Sequence, residues 1–292
     1  MRPRRLIAPL LAFGLLVSGL GGSAATAASV HDKIYPAPTA PLGLAGLPAD
    51  ATLVSVTTRD GLALKGIVRP ARPGMPVLLV LHGNASSATG TIDWFAPARA
   101  LGYGIVAAEY RGYSANPGRP DEAGLIADAE AFYALARQQA GGAPVYVIGH
   151  SLGGGVAFDL AQRHRLDALF TIGTFTRLRA LVPTIARSFV PDDYRNEDAV
   201  AALDEPWFLI HGLRDATVPA DEGNKLHRAA TLAGRDGASF VVLAADHHPD
   251  GALIAAIIDA ARTRLATGSY DPNTVPAGIK IVPFGASKPI NP

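Results

Sequence analysis

Ser151 stands between two glycines in Gly149-His150-Ser151-Leu152-Gly153, directly after the short apolar run Val145 to Ile148. Pro144 and Gly149 bracket that run as a buried strand that stops abruptly, and Gly154 and Gly155 open a stretch with helical periodicity from Val156 to Arg163. A strand-to-helix turn too tight for side chains at its flanks lifts the serine hydroxyl clear of the sheet edge, as in a nucleophile elbow. Amides at the start of the helix then point where an oxyanion would develop in acyl transfer. A glycine-rich tight turn would read the same way over five residues. The chemistry therefore needs a base, an acid and a second oxyanion donor elsewhere in the chain.

In an open parallel sheet such groups collect on loops at the carboxyl ends of strands. The strand Trp207 to Ile210 runs into His211-Gly212-Leu213-Arg214-Asp215-Ala216-Thr217-Val218-Pro219, and Asp215 is the acid that this loop offers. The loop after the preceding strand, Gly173 to Thr176, has no carboxylate. The last strand, Ser239 to Leu243, is followed by Ala244-Ala245-Asp246-His247-His248-Pro249-Asp250, in which either histidine could reach the serine. His248 precedes proline and is pushed towards extended backbone at the mouth of the final helix, so His247 is the favoured base. Asp246 reads as a surface or capping carboxylate. The oxyanion would be held by the amide of Leu152 and by one from the turn after Leu81, with Asn84 the natural candidate.

Other candidates fall away. His82 reads as a structural turn residue, and His150 packs beside the serine, since adjacent side chains diverge. The remaining histidines, 31, 164, 211 and 227, have no metal-ligand spacing, and Gly153-Gly154-Gly155 lacks the Lys-Ser or Lys-Thr of a nucleotide loop. The reading calls for no metal and no cofactor.

These residues need a scaffold. Thr52 to Thr58 and Leu62 to Arg69 are β-type runs joined around Asp60-Gly61, a hairpin signal. Val77 to Leu81 is continuously apolar, as a strand buried on both faces must be, and from there strands alternate with helical stretches. Strands are expected at 104–109, 145–148, 168–172, 207–210 and 239–243, with helices at 121–139 and 250–266. The expectation is an α/β fold with a mostly parallel sheet, an N-terminal antiparallel hairpin and helices on both faces, spanning 52–268. A helix over 177–189 would occupy the stretch between Ile172 and Trp207, leaving little for a large lid. Arg177, Arg179 and Arg187 on it read as a solvated basic face, or else as an attraction for an anionic or lipid-surface substrate.

Arg2 to Arg5, the apolar stretch Leu6 to Leu20 and Ala25-Thr26-Ala27 have the form of a signal peptide over 1–27, predicting a secreted or periplasmic protein with no membrane span after cleavage. Residues 28–51 read as an extended lead-in. Residues 269–292, with five prolines, read as a loosely held tail, or alternatively one whose Ile279 to Val282 packs along a sheet edge or the site. No cysteine is present, which excludes a disulfide scaffold and thiolate metal ligands. Of 26 basic side chains three lie in the signal segment, so the rest balance 25 acids at a formal charge of −2 and leave no footprint for nucleic acid. Nothing in the sequence speaks to oligomeric state.

With Ser151, Asp215 and His247 in that order, each after a strand, the chain resembles the alpha/beta-hydrolase superfamily from about Thr52 to Ala266. His82-Gly83-Asn84-Ala85-Ser86, Glu109-Tyr110-Arg111-Gly112-Tyr113, Gly149 to Gly154 and His211 to Pro219 resemble its compact, lid-poor serine hydrolases. That subgroup often has asparagine after the histidine, where this chain has His248. The resemblance implies an esterase-, lipase- or thioesterase-like hydrolase of small-molecule or lipid esters acting through an acyl-enzyme. A peptidase or amidase on the same core, or an exported binding protein on an idle scaffold, are the alternatives.

Overall fold

The computed structural model describes residues 31–182, 184–271 and 274–285. The signal segment expected at 1–27 lies outside the described residues. One nine-stranded sheet organises the chain, in the order β1-β2-β4-β3-β5-β6-β7-β8-β9. β1 (Thr52–Thr57) and β2 (Ala63–Arg69) form the antiparallel hairpin, and β2 pairs antiparallel with β4 (Gly104–Ala107). β4, β3 (Val77–Leu81), β5 (Val145–His150), β6 (Ala168–Ile172), β7 (Trp207–Gly212) and β8 (Gly237–Val242) are parallel.

β3 is buried at all five positions, and its alternation divides the core in two. Val77, Leu79 and Leu81 join the cluster that packs Phe132 of α3 (Glu122–Ala140), Phe158 of α4 (Leu152–Ala161) and Leu226 of α6 (Ala220–Leu232). Leu78 and Val80 join the cluster with Ile92 of α1 (Ala88–Trp94), Ala98 of α2 (Ala96–Leu101) and Ile258 of α7 (Gly251–Thr267). Helices thus cover both faces, the condition for a parallel sheet of continuous apolar strands. The chain winds from β3 out to β4, then back across to β5, so the strand order reverses beside β3. The loops leaving β3 and β5 flank this switch point, where open α/β sheets form their sites.

The stretch between β6 and β7 differs from the single helix expected over 177–189. It holds two 3₁₀ pieces, Leu178–Leu181 and Thr184–Phe189, and a short helix, α5 (Asn196–Val200). Pro183 stands between the 3₁₀ pieces, and a proline cannot donate the amide that a continuous helix would need there. The arginines are not a free basic face either. Arg177 pairs with Asp193, while Arg179 donates to the carbonyls of Val190 and Pro191 and Arg187 to that of Val182.

Of the two readings of the C-terminal tail, edge pairing is the one found. β9 (Ile279–Pro283) adds antiparallel to β8, Val282 is buried, and the Phe284 ring lies 5.1 Å from that of Trp207. Truncation after Ser269 would leave the β8 edge unpaired. It is expected to lower Tm by about 5–10 °C, the effect of losing roughly 2–3 kcal/mol from a domain of this size, as differential scanning fluorimetry would read.

Glu205, before β7, is only 4% exposed and its Oε1 has no hydrogen-bond partner among the described residues. Burial pushes its carboxyl from 4.5 up to about 7. A carboxyl whose folded pKa lies above its unfolded one opposes folding once it must ionise, so the penalty grows as pH rises between those values. The Glu205→Gln variant is expected to be more stable than wild type by on the order of 2 kcal/mol at about pH 8, with the difference vanishing below the unfolded value. Urea denaturation across pH checks this.

Among the described residues no helix is long and apolar enough to cross a membrane.

Candidate active site

β5 ends in a sharp turn at Ser151, whose φ of 53° and ψ of −116° lie outside the regions that non-glycine residues ordinarily occupy. The turn is held by the Ser151 amide donating to Ile172 O at 2.9 Å on β6. α4 can start immediately behind it because three glycines bring it close to its neighbours. A Cβ on Gly153 would stand 2.0 Å from Leu81 O, one on Gly154 2.3 Å from Thr174 Oγ1, and one on Gly155 2.7 Å from Tyr194. Leu152 opens α4, so its amide belongs to the first turn, which has no intrahelical acceptors.

The loop after β7 places Asp215 with its side chain fully buried. Its Oδ1 accepts the amides of Thr217 and Val218, both at 2.9 Å, and its Oδ2 accepts from His247 Nδ1 at 2.7 Å. The loops carrying the two residues touch along their backbones, with Arg214 N–H on Ala245 O at 2.9 Å. His247, not His248, is therefore the histidine that meets the acid. His248 instead lays its ring 4.0 Å from that of Trp94, with its amide donating to Asp246 Oδ1. Serine and histidine converge on the end of β6. Ser151 is bonded to Ile172, and a Cβ on the next residue, Gly173, would lie 3.1 Å from His247 Nδ1 and 3.2 Å from Asp215 Oδ2.

His150 does more than pack. Its Nε2–H donates to His247 O at 3.0 Å, tying the serine's neighbour to the backbone of His247. Burial, then the nearby His247 and His248, hold His150 well below the ordinary imidazole range, so it stays neutral beside the serine. His211 Nε2–H donates to Val218 O at 2.9 Å and so braces the acid loop. Adjacency to Ser151 and to the strand end was the only signal for either role.

The turn after β3 carries Asn84. A Cβ on Gly83 would lie 3.1 Å from Ser151 Cβ, which brings this turn against the serine. Asn84 Nδ2 donates to Ile34 O at 3.3 Å, so the lead-in is not merely extended over the surface. Next to Ile34, Tyr35 is 4% exposed and its hydroxyl donates to Asp192 Oδ2 at 2.7 Å, with Tyr194 Oη 3.1 Å away. Burial and the Asp192 charge push the Tyr35 hydroxyl far above its usual value, keeping it the donor. These contacts join residues 50 apart at Asn84 and more than 150 apart at Tyr35, and no local pattern announces them.

A strained serine beside a buried carboxylate–imidazole pair, at the switch point of a parallel sheet, is the arrangement of an alpha/beta hydrolase. The family model of the alpha/beta hydrolase fold matches residues 76–202. The uncharacterized protein Rv2307c of Mycobacterium tuberculosis (strain ATCC 25618 / H37Rv) is 34% identical over 218 residues, covering 71% of this chain and 75% of that protein. Lysophosphatidylserine lipase ABHD12 of Danio rerio is 32% identical over 180 residues, covering 53% of this chain and 47% of the lipase. Among solved structures, an alpha-beta hydrolase from Vibrio vulnificus aligns with a TM-score of 0.67 at 19% identity over 85% of this chain and 95% of that one. The Pyrococcus furiosus esterase Pf2001 aligns at 0.58, also at 19% identity, over 80% and 94%. The chain belongs to the alpha/beta-hydrolase superfamily.

Proposed function

We propose that the protein is an exported serine hydrolase that cleaves carboxylic esters of small molecules or lipids through an acyl-enzyme. The observation that carries this reading is the 2.7 Å hydrogen bond from His247 Nδ1 to buried Asp215, set beside the strained Ser151. With Nδ1–H committed to Asp215, the lone pair of Nε2 is free to take the Ser151 proton. The serine oxygen attacks the ester carbonyl, and the amides of Leu152 and Asn84 hold the oxyanion that forms. His247 then returns the proton to the leaving alcohol. Water repeats the sequence on the acyl-enzyme and regenerates the serine. No metal or cofactor enters these steps.

Ester chemistry is favoured over amide chemistry by the relative named as a lipase. Export rests on the sequence pattern of residues 1–27 alone.

Labelling of the purified protein with a fluorophosphonate probe tests the reading, with Ser151→Ala as control. The expected result is stoichiometric labelling that disappears in the variant. A folded wild type that does not label, or labels equally without Ser151, would refute an activated serine at this position.

A further inference from the structure

The turn that carries Asn84 is anchored by two buried side chains that the steps above do not use. β3 and β4 run parallel with Val80 beside Ala107, and Ala108 N–H reaches Val80 O at 3.2 Å. Residue 109, just past β4, thereby comes alongside residue 82, just past β3. Glu109 is fully buried and His82 is 2% exposed. Glu109 Oε1 lies 3.0 Å from His82 Nε2, and Oε2 accepts the Ala88 amide at 2.8 Å. One carboxyl group so holds both ends of the 82–88 turn. Its entry is held through His82, and its exit through the first amide of α1, which the helix itself leaves without an acceptor.

The proton inventory is constrained by geometry. His82 Nδ1 lies 2.8 Å from Gly83 O, and a carbonyl only accepts, so Nδ1 carries a hydrogen. One further proton lies between Nε2 and Oε1. The Tyr110 ring packs 4.5 Å from that of His82, and its hydroxyl donates to His82 O at 3.1 Å. Within the turn, Ala85 has a φ of 55°, a left-handed conformation that a residue with a Cβ keeps when its surroundings impose it. The strand residues before Glu109 are apolar, and a buried carboxylate is costly in such a place unless its bonds serve some end.

We propose that Glu109, acting through His82 and the Ala88 amide, is a positioning residue that aims the Asn84 amide at the developing oxyanion. The proposal rests on the serine-hydrolase reading. Oxyanion donors must lie about 2.7–3.1 Å from where the charge appears, so a small tilt of this turn weakens the transition state more than the bound substrate.

Two variants separate reach from charge. In Glu109→Gln the amide can donate to neutral His82 Nε2 and still accept from Ala88, so the turn keeps both ties. In Glu109→Asp the charge remains, but the arm is one methylene shorter and cannot hold both ends. With a p-nitrophenyl ester, Glu109→Asp is expected to lower kcat and the fluorophosphonate labelling rate about 100-fold, with KM changed less than about threefold, while Glu109→Gln restores both to within about fivefold of wild type. Circular dichroism checks that each variant is folded. Wild-type kcat in Glu109→Asp, an equal loss in Glu109→Gln, a loss confined to KM, or failure of Glu109→Asp to fold would each overturn the proposal. Absence of labelling at Ser151 in the wild type would instead sink the serine-hydrolase reading beneath it, so the two failures are distinguishable.

Discussion

Replacing Asp215 with asparagine is expected to lower kcat by about 10⁴-fold in a protein that still folds. The magnitude follows from which way the new amide must face. Oδ1 of Asp215 accepts two backbone amides, from Thr217 and Val218 at 2.9 Å each, and an asparagine NH2 at that position would meet two donors. The side chain must therefore keep its oxygen there and turn its NH2 towards His247 Nδ1, now 2.7 Å from the carboxylate. Imidazole answers by giving up the Nδ1 hydrogen and carrying it on Nε2, the tautomer that cannot accept the Ser151 proton. A neutral partner also fails to stabilise the imidazolium formed as the serine attacks. Steady-state hydrolysis of an activated ester, with thermal melts to show an intact fold, measures this. A turnover within tenfold of wild type would remove Asp215 from the proposed mechanism.

The second large effect concerns packing. Gly153→Ala would place a methyl group 2.0 Å from Leu81 O and 2.6 Å from His82 O. Both are backbone atoms at the end of β3, a strand bonded on both sides to β4 and β5, so neither can swing away as a side chain would. Relief requires moving the start of α4 or the turn carrying Asn84. Either movement separates the two proposed oxyanion amides, and rearranging a packed core in this way is expected to cost more than about 4 kcal/mol. Chemical denaturation reads the stability, and fluorophosphonate labelling of whatever fraction folds reads the site. Gly43→Ala is the control, since no heavy atom lies within 4 Å of a Cβ there and its backbone is not left-handed. Its stability should stay within about 0.5 kcal/mol of wild type.

Both effects arise where residues distant in sequence meet, and this marks the line between what the sequence specified and what folding added. Alternating apolar runs and helical stretches identified the β3 to β8 core and its parallel order, because strand burial on two faces leaves a continuous apolar signature at each strand. The elbow was legible for a similar reason: the sharp turn at Ser151 and the crowding of Gly149 against Gly153 and Gly154 lie within six residues, although what crowds Gly153 is the distant end of β3. Loops after strands offered Asp215 and the pair His247 and His248 as candidates, since in a parallel sheet all strand ends face one way.

Which histidine meets Asp215 was decided by contacts outside the loop. Trp94 takes the His248 ring, His150 holds the His247 carbonyl, and the backbone of the acid loop sets the spacing. The same holds for the tail, where an isolated Ile-Lys-Ile-Val run becomes β9 only because β8 has a free edge to accept it. The lead-in reads as an extended approach rich in proline, glycine and alanine until Tyr35 finds Asp192 and Ile34 finds Asn84. The helix expected over 177–189 gave way to two 3₁₀ pieces, and the arginines around them found acceptors that only the folded excursion assembles. Short-range periodicity records how each segment meets the average environment of a sheet or helix. The partners of a single hydroxyl, carboxylate or ring depend on where other segments come to rest, and that is settled by packing the whole chain.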